Sequence, residues 1–535
     1  MTGTGDTRRT TAQGWNIRWN AARADQAYAD GWWSDETCAD ALARWAVNDP
    51  ERILVIDGAV SLTAATLHAQ ATRLAQAMLA RCTPGSVISF MLPNWHEAAV
   101  IYMGATLAGM VVNPILPSLR DHDLRFMLAD VGCRMIFVPP VFRGHDYAAM
   151  LGRVAIDLDQ PPEIVVVRGE AGAHTPYPAL LNEDGAAPLP RLEPDEVRMV
   201  MYTSGTTGRP KGVLHTHNSL NALIRQLGTH WLIAPGDRFL VPSPISHIGG
   251  SIYAFETPLL LGATAILMEK WDAGDALGIM ADQHGTHMAG ATPFLQQLLA
   301  AAQAADTRLP DLKLFICGGA SVPPALIREA SAYFDRTIVS RVYGSTEVPV
   351  TTVGVIDRAD LDHASETDGR AGIATIKLAP DGEIRARGPQ MLVGYIHSED
   401  EATAFDEDGY YRTGDQGRWI DEDYVVVTGR IKDLIIRNGE NISPKEIEDL
   451  LVAHPDIAEI AIVGIPDART GERAVAVIVP RDGRAPDTAA IAAFLGGFGV
   501  AKFKYPEAVA LWDALPKNDA GKVLKQAIRT SLTAG

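Results

Sequence analysis

From Thr203 to Gly212 the sequence reads TSGTTGRPKG, a run of small, hydroxylated and glycine residues that closes on Lys211. Small residues let backbone N–H groups approach an anion, hydroxyls add donors, and a lysine adds a full positive charge. Thr203, Ser204, Gly205, Thr206, Thr207, Gly208 and Lys211 therefore have the chemistry to hold a polyphosphate. The spacing is not that of the common P-loop, which has Gly before the lysine and Ser or Thr after it. Pro210 and Gly212 stand in those places, which disfavours a kinase- or GTPase-type site.

Further along lie groups that could serve a nucleotide. Tyr343-Gly344-Ser345-Thr346-Glu347 offers a ring, a hydroxyl and a carboxylate. A carboxylate is the hard oxygen ligand that Mg²⁺ takes alongside phosphates. Gly318-Gly319-Ala320 ends an apolar run, Tyr411-Arg412-Thr413-Gly414-Asp415 and Gly429-Arg430 follow, and Lys522 comes directly after Gly521 near the C-terminus. Taken singly, a C-terminal lysine is ordinarily a solvated surface charge and a GGA is a turn.

In type and order these segments resemble the motifs of the adenylate-forming superfamily: acyl-CoA synthetases, peptide-synthetase adenylation domains and luciferases. The match runs along nearly the whole chain, and TSGTTGxPKG is the superfamily's phosphate loop. The resemblance implies ATP, Mg²⁺ and CoA as the nucleotide, metal and co-substrate. It implies that Tyr343 stacks on adenine beside Gly344, that Thr346 contacts the α-phosphate and that Glu347 holds Mg²⁺. Gly318, Gly319 and Ala320 would line the adenine and the acyl carbon, and Asp415 and Arg430 would reach the ribose. Lys432 falls on the hinge position, Gly439 on the loop that lines the pantetheine tunnel, and Lys522 on the adenylation lysine. The reaction implied has two halves, adenylation of a carboxylate and then transfer of the acyl group to a thiol.

The acyl pocket is expected from residues 246–256, 291–296, 318–320 and 343–350, with His247, Gly249, Phe294 and Val348 facing the substrate. That lining is mostly small or apolar, which favours an apolar acid. The segment SPISHIGGS has no Asp to pair with an α-ammonium, and a buried unpaired cation is costly, so amino acids are disfavoured. His247-Ile248 in place of His-Asn argues against catechol acids. Residues 142–144, 291–294, 317–320 and 500–507 resemble cyclohexanecarboxylate-CoA and medium-chain fatty acid CoA ligases, which points to a medium-chain or alicyclic acid. The acceptor stays open between CoA and the phosphopantetheine arm of a separate carrier protein. A non-catalytic nucleotide-binding relative would have lost Glu347, Asp415, Arg430 or Lys522, and all four are present.

These groups need a scaffold. An apolar run at 86–92 and further runs at 134–140, 163–169, 238–244, 264–269 and 312–319, which end in Gly, Pro or a polar residue, alternate with Ala/Leu-rich stretches. This predicts an α/β fold, a large N-terminal domain of mixed, buried sheets flanked by helices. Near Gly429 the segments shorten, predicting a small mobile α+β C-terminal domain, with domains at 1–431 and 432–535. A helix is expected from Ser443 as N-cap, then two strands, a second helix and a basic tail. With 535 residues, 47% hydrophobic and 21% charged, the chain is long enough for a large core. Its net charge of −18 argues against nucleic acid or anionic lipid as a partner. Four scattered cysteines fit a cytoplasmic location. The uncharged run 98–116 has nearly the length of a membrane span, but Pro114 breaks it, so a buried helix followed by a strand is expected. Nothing in the sequence sets the oligomeric state.

Overall fold

The computed structural model describes residues 5–534, apart from 184, 186, 205–208, 320, 321, 439, 468, 519 and 520. The expected apolar runs are strands, and they divide between two large sheets. The first runs in the order Thr175–Pro176, Glu163–Val166, Cys133–Val138, Val87–Phe90, Val111–Pro114, Val197–Ser204, Pro210–Thr216 and Gly394–Tyr395. It is parallel as far as Val197–Ser204, which then turns back antiparallel into Pro210–Thr216. The second runs Ile338–Arg341, Leu314–Cys317, His287–Gly290, Arg238–Val241, Thr264–Leu267, Ile53–Asp57 and Val60–Thr63, parallel except for the last pair.

The membrane-like run is a helix, His96–Leu107, followed by the strand Val111–Pro114. Every residue from Ala98 to Leu107 is buried, because the helix shares one core with residues of both sheets, such as Phe90 and Phe239. A helix enclosed on all sides needs no polar face. No helix among the described residues is long and apolar enough to cross a membrane.

One polar cluster crosses this core. Arg198, early in the strand that ends at the phosphate loop, donates from Nη1 to Glu256 Oε1 at 2.9 Å, and neither side chain is exposed. Glu256 closes a wide π-helical turn, Ile252–Glu256, and also accepts the Tyr102 hydroxyl. The strand, the His96–Leu107 helix and the π-helical turn are thus tied at one point.

A third, antiparallel sheet, Thr375–Leu378, Glu383–Arg387, Tyr411–Ile420 and Tyr424–Arg430, places Asp415 directly opposite Arg430. Sheet membership then changes across the short turn Ile431–Asp433. The smaller C-terminal domain has a sheet of Ile435–Arg437, Glu440–Ile442, Ile457–Asp467, Gly471–Pro480 and Ala508–Leu511, packed with helices Pro444–Leu451, Thr488–Gly497 and Lys525–Ala534. Two details depart from the sequence reading. The basic tail ends in a helix, whose Ile528 is fully buried. Ser443 occupies the N-cap position but makes no cap bond; its hydroxyl donates to the Thr428 carbonyl at 2.6 Å, tying the two domains together.

Candidate active site

Ligands of open α/β sheets bind beyond the carboxyl ends of the strands. In the second sheet, Arg238–Val241 leads towards His247, His287–Gly290 towards Phe294, Leu314–Cys317 into Gly318 and Gly319, and Ile338–Arg341 into Tyr343–Glu347. In the first sheet, Val197–Ser204 ends at the phosphate loop. His247, Phe294, Gly318, Gly319 and Tyr343–Glu347 therefore all follow the carboxyl end of a parallel strand. Gly205, Thr206, Thr207, Gly208, Ala320, Gly439 and the Ser204 side chain lie outside what is described.

Glu347 is the buried centre of this edge. Its Oε1 accepts the Thr203 hydroxyl at 3.2 Å and the Tyr395 hydroxyl at 3.3 Å, and its carbonyl accepts Leu392 N–H at 2.7 Å. Among the described residues its carboxylate has hydroxyl partners and no ion pair. A buried carboxylate without a cation fits a hard divalent ion such as Mg²⁺. The Thr346 carbonyl is held at 2.7 Å by His215 Nε2, whose Nδ1 faces the Ser219 hydroxyl at 3.1 Å. Burial pushes the His215 pKa down to about 4, so the ring is neutral: Nε2–H donates to the carbonyl and Nδ1 accepts from the hydroxyl. Gly344 tolerates no side chain, because a Cβ would lie 2.6 Å from Val350 N.

The Tyr343 hydroxyl donates to Asp415 Oδ2 at 2.7 Å, and Arg430 Nε meets Asp415 Oδ1 at 2.8 Å. The expected adenine and ribose groups thus form one cluster. Lys522 comes to it from the other domain. Its side chain reaches solvent, yet it stands in a cleft crowded enough to lower its pKa from 10.5 to about 8. Burial is the largest cause; Arg430 and Lys432 push the same way, while Asp415 and Asp433 oppose them. The turn that carries it is closed by Asn518, whose N–H donates to the Lys522 carbonyl at 2.9 Å and whose Oδ1 accepts Lys522 N–H at 2.8 Å. Gly521 sits so that a Cβ would lie 3.8 Å from Pro293, beside Phe294.

Lys211 is 3.6 Å from Asp400, which also pairs with Arg209 at 3.0 Å, and its Nζ lies 5.4 Å from the Tyr395 ring centroid. Tyr395 and Asp400 were not singled out from the sequence. Gly394-Tyr395 sits in an apolar run that reads as core, and Asp400 in an acidic surface-like stretch. In the segment expected to face the acyl group, His247 occupies the N-cap position of the helix Ile248–Ser251 without a side-chain cap bond, and a Cβ on Gly249 would meet no atom within 4 Å. Phe294 covers Gly290 and packs on Trp271, ring centroids 4.8 Å apart. Val348 is not brought to this wall: it is buried in a cluster with Val213, Leu392, Tyr395 and Tyr411. Lys432 is in the turn between the third sheet and the C-terminal domain.

The sequence profile of the AMP-binding enzyme family matches residues 42–396, and that of the AMP-binding enzyme C-terminal domain matches residues 446–522. The chain is 33% identical to the medium-chain fatty-acid–CoA ligase of Escherichia coli, over 96% of this chain and 94% of that protein. It is 32% identical to the indoleacetate–CoA ligase of Aromatoleum aromaticum, over 93% of this chain and 97% of that protein. Among solved structures, ATP-bound MatB from Rhodopseudomonas palustris superposes with a TM-score of 0.81 at 28% identity, covering 92% of this chain and 98% of that one.

Proposed function

The chain belongs to the AMP-binding enzyme family and is an AMP-forming acid–thiol ligase, and on that premise we propose that its acid is an apolar medium-chain or alicyclic carboxylate and its thiol CoA. The observation that carries the mechanism is Lys522, presented by the C-terminal domain to the Asp415–Arg430 pair. In the first half-reaction a carboxylate oxygen attacks the α-phosphorus of ATP in line, the bond to pyrophosphate breaks, and an acyl-adenylate forms. Two anions must meet, and Lys522 and Lys211 offset their repulsion. Asp415 and Arg430 hold the ribose hydroxyls, Tyr343 the adenine, and Thr346 the α-phosphate. When bound at Glu347, Mg²⁺ adds positive charge to the phosphates. In the second half-reaction the CoA sulfur attacks the acyl carbon and AMP leaves.

The two halves need Lys522 present and then withdrawn. Rotation of residues 432–535 about Lys432 does this and carries the Gly439 loop to the tunnel. The relatives above are named as CoA ligases, which favours CoA, and the carrier-protein alternative is set aside. One is named for a fatty acid and the other for a ring acid, so the open space at Gly249 and the apolar Phe294 carry the choice of acid here.

The test is incubation with MgATP and a panel of cyclohexanecarboxylate, straight-chain acids, benzoate and indoleacetate, with and without CoA. CoA-dependent release of AMP with an acyl-CoA product, best for octanoate or cyclohexanecarboxylate, is expected. A clear preference for indoleacetate or benzoate would overturn the apolar aliphatic reading.

A further inference from the structure

We propose that a cavity between the N-terminal segment and the third sheet is a second ligand site, for a small organic monoanion with an apolar body. The cavity measures about 270 Å³ and none of Thr203, Tyr343, Asp415 or Lys522 lines it. One wall comes from the hairpin Thr7–Thr10 with Asn16–Trp19 and the helix Ala21–Ala29; the other includes Arg387, Met391 and Leu392.

The chemistry of the lining is what a structural void lacks. Arg18, Arg23 and Arg387 face it against two carboxylates, Asp6 and Asp30, in a chain whose net charge is −18. Asp6 is already shared by Arg18 and Arg23 and also accepts Asn20 Nδ2 at 2.9 Å. Asp30 accepts from Gln26 at 2.7 Å. Arg387 donates to the Asp408 carbonyl at 2.8 Å and lies 4.3 Å over the Tyr410 ring, with no ion pair among the described residues. Burial, and then the nearness of Arg387, lower the Arg23 pKa. Two guanidinium groups held together in a partly buried space repel each other, and a bound anion relieves that cost.

The apolar share comes from indoles. Trp19 and Trp33 stand 5.9 Å apart, and Trp33 is fixed by its N–H bond to the Pro389 carbonyl at 3.0 Å. Drug-sized ligands occupy pockets of roughly 300–1,000 Å³, so this space takes something smaller, and neither ATP nor CoA fits. An aromatic and arginine lining selects a carboxylate or sulfonate on a flat or branched apolar body.

The test fills the active site with a non-hydrolysable acyl-sulfamoyl adenosine, then titrates the smaller naphthalene-1-sulfonate by isothermal titration calorimetry and displaces it with octanoate or octanamide. One saturable site per chain is expected, displaced by octanoate and not by octanamide. Affinity should fall tenfold or more in Arg387→Gln, less in Arg387→Lys, and similarly in Trp19→Leu, with acyl-CoA synthesis within twofold of the parent. A chain lacking residues 1–4 should bind as the full chain does. No saturable signal, equal displacement by octanamide, unchanged affinity in both Arg387→Gln and Trp19→Leu, or binding that appears only after removal of residues 1–4 would each overturn the proposal.

Discussion

Raising the pH is expected to switch off adenylation through Lys522. Its pKa is lowered to about 8 by burial, by Arg430 and by Lys432, against an ordinary lysine value of 10.5. The first half-reaction needs the ammonium form. In the free enzyme that form falls from about nine-tenths at pH 7 to about one-half at pH 8 and about one-tenth at pH 9. The kcat/KM for ATP in ATP–pyrophosphate exchange should therefore drop about tenfold between pH 7 and pH 9. Acyl transfer to CoA from preformed acyl-adenylate should not share that limb. Lys522→Arg should abolish the limb even at a lower rate, because a guanidinium stays charged. Lys432→Gln removes one repelling cation and should move the limb to higher pH. The effect on folding has the opposite sign. Between about pH 8 and 10.5 the unfolded chain holds more protons at this site than the folded one, so stability from this group rises as activity falls. A limb centred near pH 10, or one that persists unchanged in Lys522→Arg, would refute the placement of Lys522 among these cations.

Lys522→Ala should cut pyrophosphate exchange by at least about a hundredfold and spare thioester formation from preformed adenylate, whereas Lys432→Pro, by fixing φ, should do the reverse. Glu347→Gln should raise the Mg²⁺ concentration for half-maximal pyrophosphate exchange about tenfold or more, and Thr203→Val should do so by less. Glu256→Gln leaves the fully buried Arg198 guanidinium without a counter-charge and should cost about 3–5 kcal/mol, read as an earlier urea transition of the large domain. Gly249→Leu should leave the melting temperature unchanged, because its Cβ meets open space, and lower kcat/KM for octanoate relative to butyrate about tenfold.

The sequence by itself determined the chemistry that is local in the chain. The loop from Thr203 to Lys211, the Tyr343–Glu347 run and the Tyr411–Asp415 run are each short stretches whose residue types and order match motifs of the adenylate-forming superfamily, so the family could be read from the chain without a fold. The strands were legible too, because a strand buried on both faces is apolar throughout, as in Leu314–Cys317. Periodicity could not say that two separate sheets enclose the His96–Leu107 helix, since a helix buried all round has no face to read. Only the tertiary structure set Tyr395 against Glu347, Asp400 against Lys211, and Lys522 among Arg430, Lys432 and Asp415, across separations of 48, 189 and at least 90 residues. It also turned Val348 inwards while its neighbour Glu347 took the Thr203 hydroxyl. The physical reason is the same in each case. A side chain's partner, its burial and hence its pKa depend on which distant backbone passes beside it, and the packing of sheets and domains decides that.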